Sequence, residues 1–398
     1  MSAVTSTGGR EGRLSSSDVS ALISQRSRRV DASGIRRVFD LAAHMKDPIN
    51  LSIGQPDFPV PEAMKAAAIR AIQEDRNGYT VTQGVPQLLE AVWANLRKDL
   101  GWTGSEATHS AIVTSGTSGA LLLAALALLD PGDEAIIPDP YFVMYPQLGT
   151  ITGGTMVRCD TYPDFRMTAE RIERCITPRT KAVILNSPSN PCGVVLSNAE
   201  LRDVVDLCAR RNVLLISDEI YDEFCFSDVR EDGRCPSPAR FTDQCLLIRG
   251  FGKTYGCTGW RLGYAAGPKA IVQEMAKMQQ YTFVCAPSMA QWGAVAAFGV
   301  DLSPIVAEYE RRRQMVVEAF EGITTVARPG GAFYAFVEVP ARLRMTGQQF
   351  IEKAIEKRVL VIPGNVFSAR DTHFRLSFAT RPDKLAEGLD VLRTLMTA

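Results

Sequence analysis

The chain has 398 residues, 44 Lys+Arg against 44 Asp+Glu, and 46% hydrophobic residues. That length suits one large domain of alternating elements plus a smaller one, and the balanced charge provides no global field for nucleic acid or an anionic membrane. Nine cysteines lie scattered without a CxxC pair, which reads as reduced thiols in a cytoplasmic protein rather than a disulfide or zinc framework, and the longest apolar run, residues 120–129, is about half a bilayer span.

Residues 1–29 read as a flexible tail, because the first 17 are rich in Ser, Gly and Thr, carry Arg10 and Arg13, and lack an apolar signal core. A helical stretch over 35–45 runs into the extended Ile49-Asn-Leu-Ser-Ile-Gly54 without a break in composition. From about residue 90 helix-like and strand-like segments alternate. This rhythm predicts an α/β fold with a mostly parallel central sheet covered by helices on both faces. Buried strands are expected at 111–114, 134–138, 155–158, 182–186, 213–218, 245–250 and 263–266. In open sheets of this kind ligands bind beyond the carboxyl ends of the strands.

Several of these strands end on unusual chemistry. Ser115-Gly-Thr-Ser-Gly119 follows the first and opens an Ala/Leu-rich helix; helix-start amides with the hydroxyls of Thr117 and Ser118 suit a phosphate, although a plain helix cap uses the same residues. Asn186-Ser-Pro-Ser-Asn-Pro-Cys-Gly193 reads by itself as a turn with two amide side chains free to bond. Asp218 ends an apolar strand, where a buried carboxylate needs a cationic partner. Lys253, in Gly250-Phe-Gly-Lys-Thr-Tyr-Gly-Cys-Thr-Gly-Trp-Arg261, sits among small and aromatic residues with no charge before Arg261, a setting that favours the neutral, nucleophilic amine. The segment is not a nucleotide-binding loop, because position 247, where that pattern requires glycine, is Leu247.

A Schiff-base lysine, a phosphate cradle, an aspartate for a pyridinium and a second cation together describe pyridoxal 5'-phosphate (PLP). From about Val30 to its end the chain resembles the class I/II aminotransferase family of fold type I PLP enzymes. The resemblance implies that Lys253 holds the cofactor as a Schiff base, that Asp218 pairs with the pyridine nitrogen, and that Tyr221 and Asn190 share the phenolic oxygen. It assigns the phosphate to Gly116, Thr117, Ser118 and Arg261, and ring stacking to Tyr141. Tyr79 is assigned to the phosphate of the other subunit. Arg375, in His373-Phe-Arg-Leu-Ser-Phe378, resembles the arginine that grips the substrate α-carboxylate, with Gly54 and Asn190 lining the same pocket. Gly252 and Cys192 replace residues more common in the family, and Ser118-Gly119 stand where some aspartate-specific relatives carry a lysine.

The implied activity is transfer of the α-amino group of an L-amino acid, whether aspartate, aromatic or of broad range, to a 2-oxoacid such as 2-oxoglutarate, with Lys253, Asp218 and Tyr221 as the catalytic residues. The alternative is a PLP-dependent C–S lyase or another elimination or cyclisation enzyme on the same frame. The expected organisation is a large PLP-binding domain over 60–290 and a smaller α/β domain from 30–59 and 291–398. Tyr79 and residues 281–291 resemble segments that complete the partner's site in a homodimer. No metal, nucleic acid or membrane partner is expected.

Overall fold

The computed structural model describes residues 16–31, 34–35, 45–103 and 107–398, so the tail expected over 1–15 and most of the helix expected over 35–45 lie outside the described residues. The chain divides into two units, Met1–Ala32 and Ser33–Ala398. In the first, short helices form at Ser16–Ala21 and Gln25–Arg29, the second capped by the Ser24 hydroxyl, which accepts from the Ser27 amide at 3.2 Å.

Among its described residues the second unit holds twelve strands in chain order: β1 Ile49–Asn50, β2 His109–Ser115, β3 Glu134–Asp139, β4 Thr155–Asp160, β5 Thr180–Asn186, β6 Leu214–Asp218, β7 Leu246–Gly250, β8 Leu262–Pro268, β9 Tyr334–Glu338, β10 Val359–Leu360, β11 Ile362–Pro363 and β12 His373–Ser377. Seven of them form the central sheet in the order β2-β8-β7-β6-β5-β3-β4. All seven expected strands are present. Pairing is parallel from β7 through β4, whereas β8 runs antiparallel to both β7 and β2.

The near-continuous apolar runs of β5, β6 and β7 follow from burial on both faces. Alternate residues serve alternate sides: Val183, Leu185, Leu215 and Leu247 join one apolar cluster, and Ile184, Ile216, Leu246 and Ile248 join the other. The helices Pro86–Leu100 and Asn198–Arg211 bury Leu88, Val92, Leu96, Leu201 and Val204 in the first cluster. The second is covered by Gly116–Leu128, Met144–Thr152 and Lys269–Gln280. Gly116–Leu128 is apolar nearly all round, as expected of a helix with little exposed face.

Away from this sheet, β11-β12-β9 form an antiparallel sheet, and β1 pairs in parallel with β10. The chain therefore has a seven-stranded mixed sheet with helices on both faces and a smaller α/β part. Among the described residues no single helix is long and apolar enough to cross a membrane, no group of three or more His, Cys, Asp or Glu side chains could hold a metal ion, and all nine cysteines are free thiols.

Candidate active site

The carboxyl ends of β2, β5, β6 and β7 lie along one edge of the central sheet, and the residues after them surround a cavity of about 310 Å³. The reversal of β8 determines which cation faces the helix start after β2. Because β8 is antiparallel, its first residue, Leu262, pairs with the last residue of β2, Ser115, so Arg261 returns to the edge from which Lys253 departed.

Gly116 opens the following helix with φ +69, and a Cβ built there would lie 2.7 Å from Arg261 Nη2. A side chain at this position would therefore close the approach of the guanidinium to the helix start. Gly116, Thr117, Ser118 and Arg261 all line the cavity. The start of the helix, two hydroxyls and a guanidinium that forms no carboxylate pair among the described residues make a cradle for an anion.

Asp218 ends β6 fully enclosed. Its Oδ2 accepts a 2.7 Å hydrogen bond from the Tyr145 hydroxyl, and its Oδ1 has no hydrogen-bond partner among the described residues. Burial pushes its carboxyl up to about 6, against the opposing pull of Tyr145. A buried carboxylate with one oxygen unpartnered at a cavity wall is set to receive a cationic N–H.

Across the cavity the Lys253 amine donates to the Gly54 carbonyl. Burial, reinforced by the positive charges of Arg375 and Arg261, pushes its pKa down to about 8. About a tenth of Lys253 is then uncharged near neutral pH, far more than for an ordinary lysine, as a nucleophilic amine requires. Gly54 is also confined by Tyr334, whose hydroxyl would lie 2.9 Å from a Cβ there.

Arg375 reaches the same space from β12. It is 1% exposed, donates from Nη1 to Asn190 Oδ1 at 3.1 Å and from Nη2 to the Ser52 carbonyl at 2.9 Å, and stacks 4.4 Å from the Tyr334 ring and 4.8 Å from Phe367. No carboxylate pairs with it among the described residues, and its Nε is unpartnered. Burial pushes even this guanidinium below its ordinary range. A buried planar cation without a counter-ion calls for a carboxylate ligand. Tyr221 stands beside it, its hydroxyl 3.2 Å from that of Tyr334, and burial raises its pKa well above the ordinary tyrosine value. Asn190 is placed by its turn: its amide donates to Asn186 Oδ1 at 2.8 Å, while Asn186 Nδ2 donates to the Asp218 carbonyl at 2.9 Å.

The structure thus brings together Gly54, Gly116, Thr117, Ser118, Asn190, Asp218, Tyr221, Lys253, Arg261 and Arg375 around one cavity. Tyr141 and Tyr79 are not in its lining. Tyr141 turns away because its amide bonds the Phe367 carbonyl at 2.8 Å and its ring packs within the second apolar cluster, 5.3 Å below the Arg158 guanidinium; the next residue, Phe142, lines the cavity instead. Tyr79 is 89% exposed. Sequence reading missed Tyr145, Tyr334 and Ile35, which come to the site or its supporting shell through packing and carry no motif of their own.

Comparison with known proteins agrees with this geometry. The family profile described as aminotransferase class I and II matches residues 46–392. The chain is 35% identical over 384 residues to a probable aspartate aminotransferase of Methanocaldococcus jannaschii, covering 94% of this chain and 100% of that protein. It is 34% identical to an aromatic-amino-acid aminotransferase of Thermococcus litoralis, covering 94% and 98%. Among solved structures, the aspartate aminotransferase of Thermus thermophilus with maleate superposes with a TM-score of 0.87 at 33% identity, covering 94% of this chain and 99% of that one.

Proposed function

We propose that this chain, which belongs to the aminotransferase class I and II family, uses PLP bound through Lys253 to move the α-amino group of a broad range of L-amino acids, aspartate and aromatic donors included, to a 2-oxoacid such as 2-oxoglutarate. The chain is a transaminase, and its family uses PLP. The observation that supports binding of PLP through Lys253 is the placement of a buried lysine, a carboxylate with an unpartnered oxygen and a buried guanidinium without a counter-ion among the described residues on one cavity.

The residues present fit the cofactor. Gly116, Thr117, Ser118 and Arg261 would hold its phosphate, Asp218 Oδ1 its ring nitrogen, and Tyr221 with Asn190 its phenolic oxygen, while Phe142 would lie against the ring. When bound, PLP supplies the carbonyl that takes up the amino group and an electron sink for the α-carbon. The protein's part is positional and electrostatic. Arg375 fixes the substrate carboxylate with a two-pronged fork, orienting the α-carbon toward Lys253. Lys253, uncharged once released, is the base that removes the α-proton and returns it. Asp218, ionised beside a cation, keeps the ring nitrogen protonated.

The dimer belongs to the same proposal. Tyr79, Val81 and Tyr281 are 89%, 62% and 90% exposed, and their segments are tied together by Gln291 Nε2 donating to Thr80 Oγ1 at 3.0 Å and Ser288 Oγ donating to the Arg76 carbonyl at 2.6 Å. An exposed apolar patch of this kind suits a second copy of the chain, with Tyr79 completing the partner's phosphate cradle. Within each copy the large domain is assigned to residues 60–290 and the small one to 30–59 with 291–398, in keeping with the pairing of β1 to β10. Nine unlinked cysteines support a reducing, cytoplasmic setting.

The test is the visible absorbance of the purified protein before and after single amino acids are added without an oxoacid. A cofactor band that bleaches with aspartate, aromatic and aliphatic donors supports the reading and ranks them. A band absent from the wild-type protein after PLP is supplied, or present unchanged in Lys253→Ala, would overturn it, and pyruvate released from cystathionine without transfer would replace it with the lyase alternative.

A further inference from the structure

Tyr221 lines the active-site cavity, and its neighbour Asp222 lines a second cavity of about 220 Å³. Five cations face this rear space: Lys98 from the helix Pro86–Leu100, Arg230 and Arg234 from the loop after β6, Arg240, and Arg249 on β7. Two of these are already neutralised. Asp99 Oδ1 accepts from Arg240 and its Oδ2 from Arg249, each at 2.8 Å, and Arg249 also bonds Glu219 at 2.8 Å and approaches Asp222 at 3.3 Å.

The other three have no carboxylate partner among the described residues. Among the described residues the Arg230 guanidinium donates to the Cys225 carbonyl at 2.8 Å, the Arg234 guanidinium to the Asp99 carbonyl at 2.9 Å, and no side-chain hydrogen bond is made by Lys98. Opposing them is Glu223, which also lines the neighbouring cavity together with Arg230. Burial raises the pKa of Asp222, and the five cations outnumber the three carboxylates that line the cavity, Asp99, Asp222 and Glu223. A concave space with positive charge in excess focuses its field on small anions, and guanidinium forks with free N–H groups match the oxygens of a phosphate.

We infer that this rear cavity is a second binding site, for a phosphate-class dianion held by Lys98, Arg230 and Arg234. Its position gives it access to the chemistry. Asp218, Tyr221 and Lys253 are each followed in the chain by a residue of the rear network: Glu219 and Asp222, both on Arg249, and Thr254, whose hydroxyl lies 3.5 Å from Asp222 Oδ1. Of these, Asp222 lines the rear cavity itself, one residue from Tyr221 on the active-site wall, and any effect of substrate on the anion's affinity is matched by an equal effect of the anion on substrate binding.

The experiment is calorimetric titration of the PLP-saturated protein with inorganic phosphate at fixed ionic strength. PLP occupies the front cradle, and the rear site is tested by Lys98→Gln/Arg234→Gln, both exposed positions, with Arg97→Gln on the same helix as a control that removes one positive charge outside the cavity. Saturable binding that weakens at least tenfold in the double variant and is unchanged in Arg97→Gln is the expected result. No saturable binding to the wild-type protein, or equal binding by all three proteins, would overturn the assignment. Circular dichroism of each protein confirms that a loss of binding is not a loss of fold.

Discussion

Asp218→Asn separates what this residue costs the fold from what it contributes to the site. Its carboxyl is pushed up to about 6 from an ordinary 3.8, so the folded protein holds the proton more tightly than the unfolded chain does. For a raised acid the stability is fully present below pH 3.8 and is lost as pH rises through 6. The difference corresponds to about 3 kcal/mol at neutral pH, since each pKa unit is about 1.36 kcal/mol. Asparagine never ionises, and its side-chain carbonyl can still accept the hydrogen bond from Tyr145. Urea denaturation of the cofactor-free protein between pH 4 and 8 should therefore show Asp218→Asn gaining on wild type between about pH 4 and 6 and ending the more stable by up to about 3 kcal/mol at pH 7. With cofactor the order should reverse, because a neutral amide cannot pair with a pyridinium; the variant should lose PLP on dialysis. A cofactor-free variant no more stable than wild type at pH 7, or the same fall in stability between pH 4 and 6 in both, would refute the reasoning.

Tyr145→Phe leaves Asp218 with neither oxygen hydrogen-bonded by a side chain, at a cost of about 1–3 kcal/mol for the abandoned acceptor; the pH-dependent loss of stability should move to higher pH, and cofactor should dissociate faster in a spectroscopic chase. Arg375→Lys replaces a two-pronged buried fork by a point charge, and about a hundredfold loss in kcat/KM, roughly 3 kcal/mol, is expected for amino acid and oxoacid alike, whereas cofactor absorbance should persist. Capture of PLP by the cofactor-free protein depends on uncharged Lys253, so its rate should rise with pH and level off above about 8; a rate that keeps rising toward pH 10.5 would show that neither burial nor Arg375 and Arg261 depress the amine.

Much of the fold was legible because its signals are local. The apolar runs of β5, β6 and β7 mark strands buried on both faces, the Ser-Gly-Thr-Ser-Gly segment marks a strand passing into a helix, and Asp218 marks a carboxylate leaving a core. The positions of Lys253, Asp218 and Arg261 followed from motif spacing on adjoining elements.

Spacing did not determine direction or distant company. Tyr141 and Phe142 are equally aromatic and adjacent, and it is tertiary packing, with the Tyr141 ring in the second apolar cluster and its amide bonded to Phe367 over two hundred residues away, that leaves Phe142 facing the cavity. Arg375 meets Asn190 across 185 residues and Tyr145 meets Asp218 across 73, contacts created by strand order and by helices laid on the sheet. The antiparallel turn of β8 brings Arg261 to Gly116, although the same residues on a parallel strand would have begun at the opposite edge. Sequence by itself determined the alternating elements and the turn chemistry, because those depend on neighbours a few bonds away. Tertiary structure decided which side chains share the cavity and what their pKa values are, because burial and charge proximity are properties of packed space rather than of order along the chain.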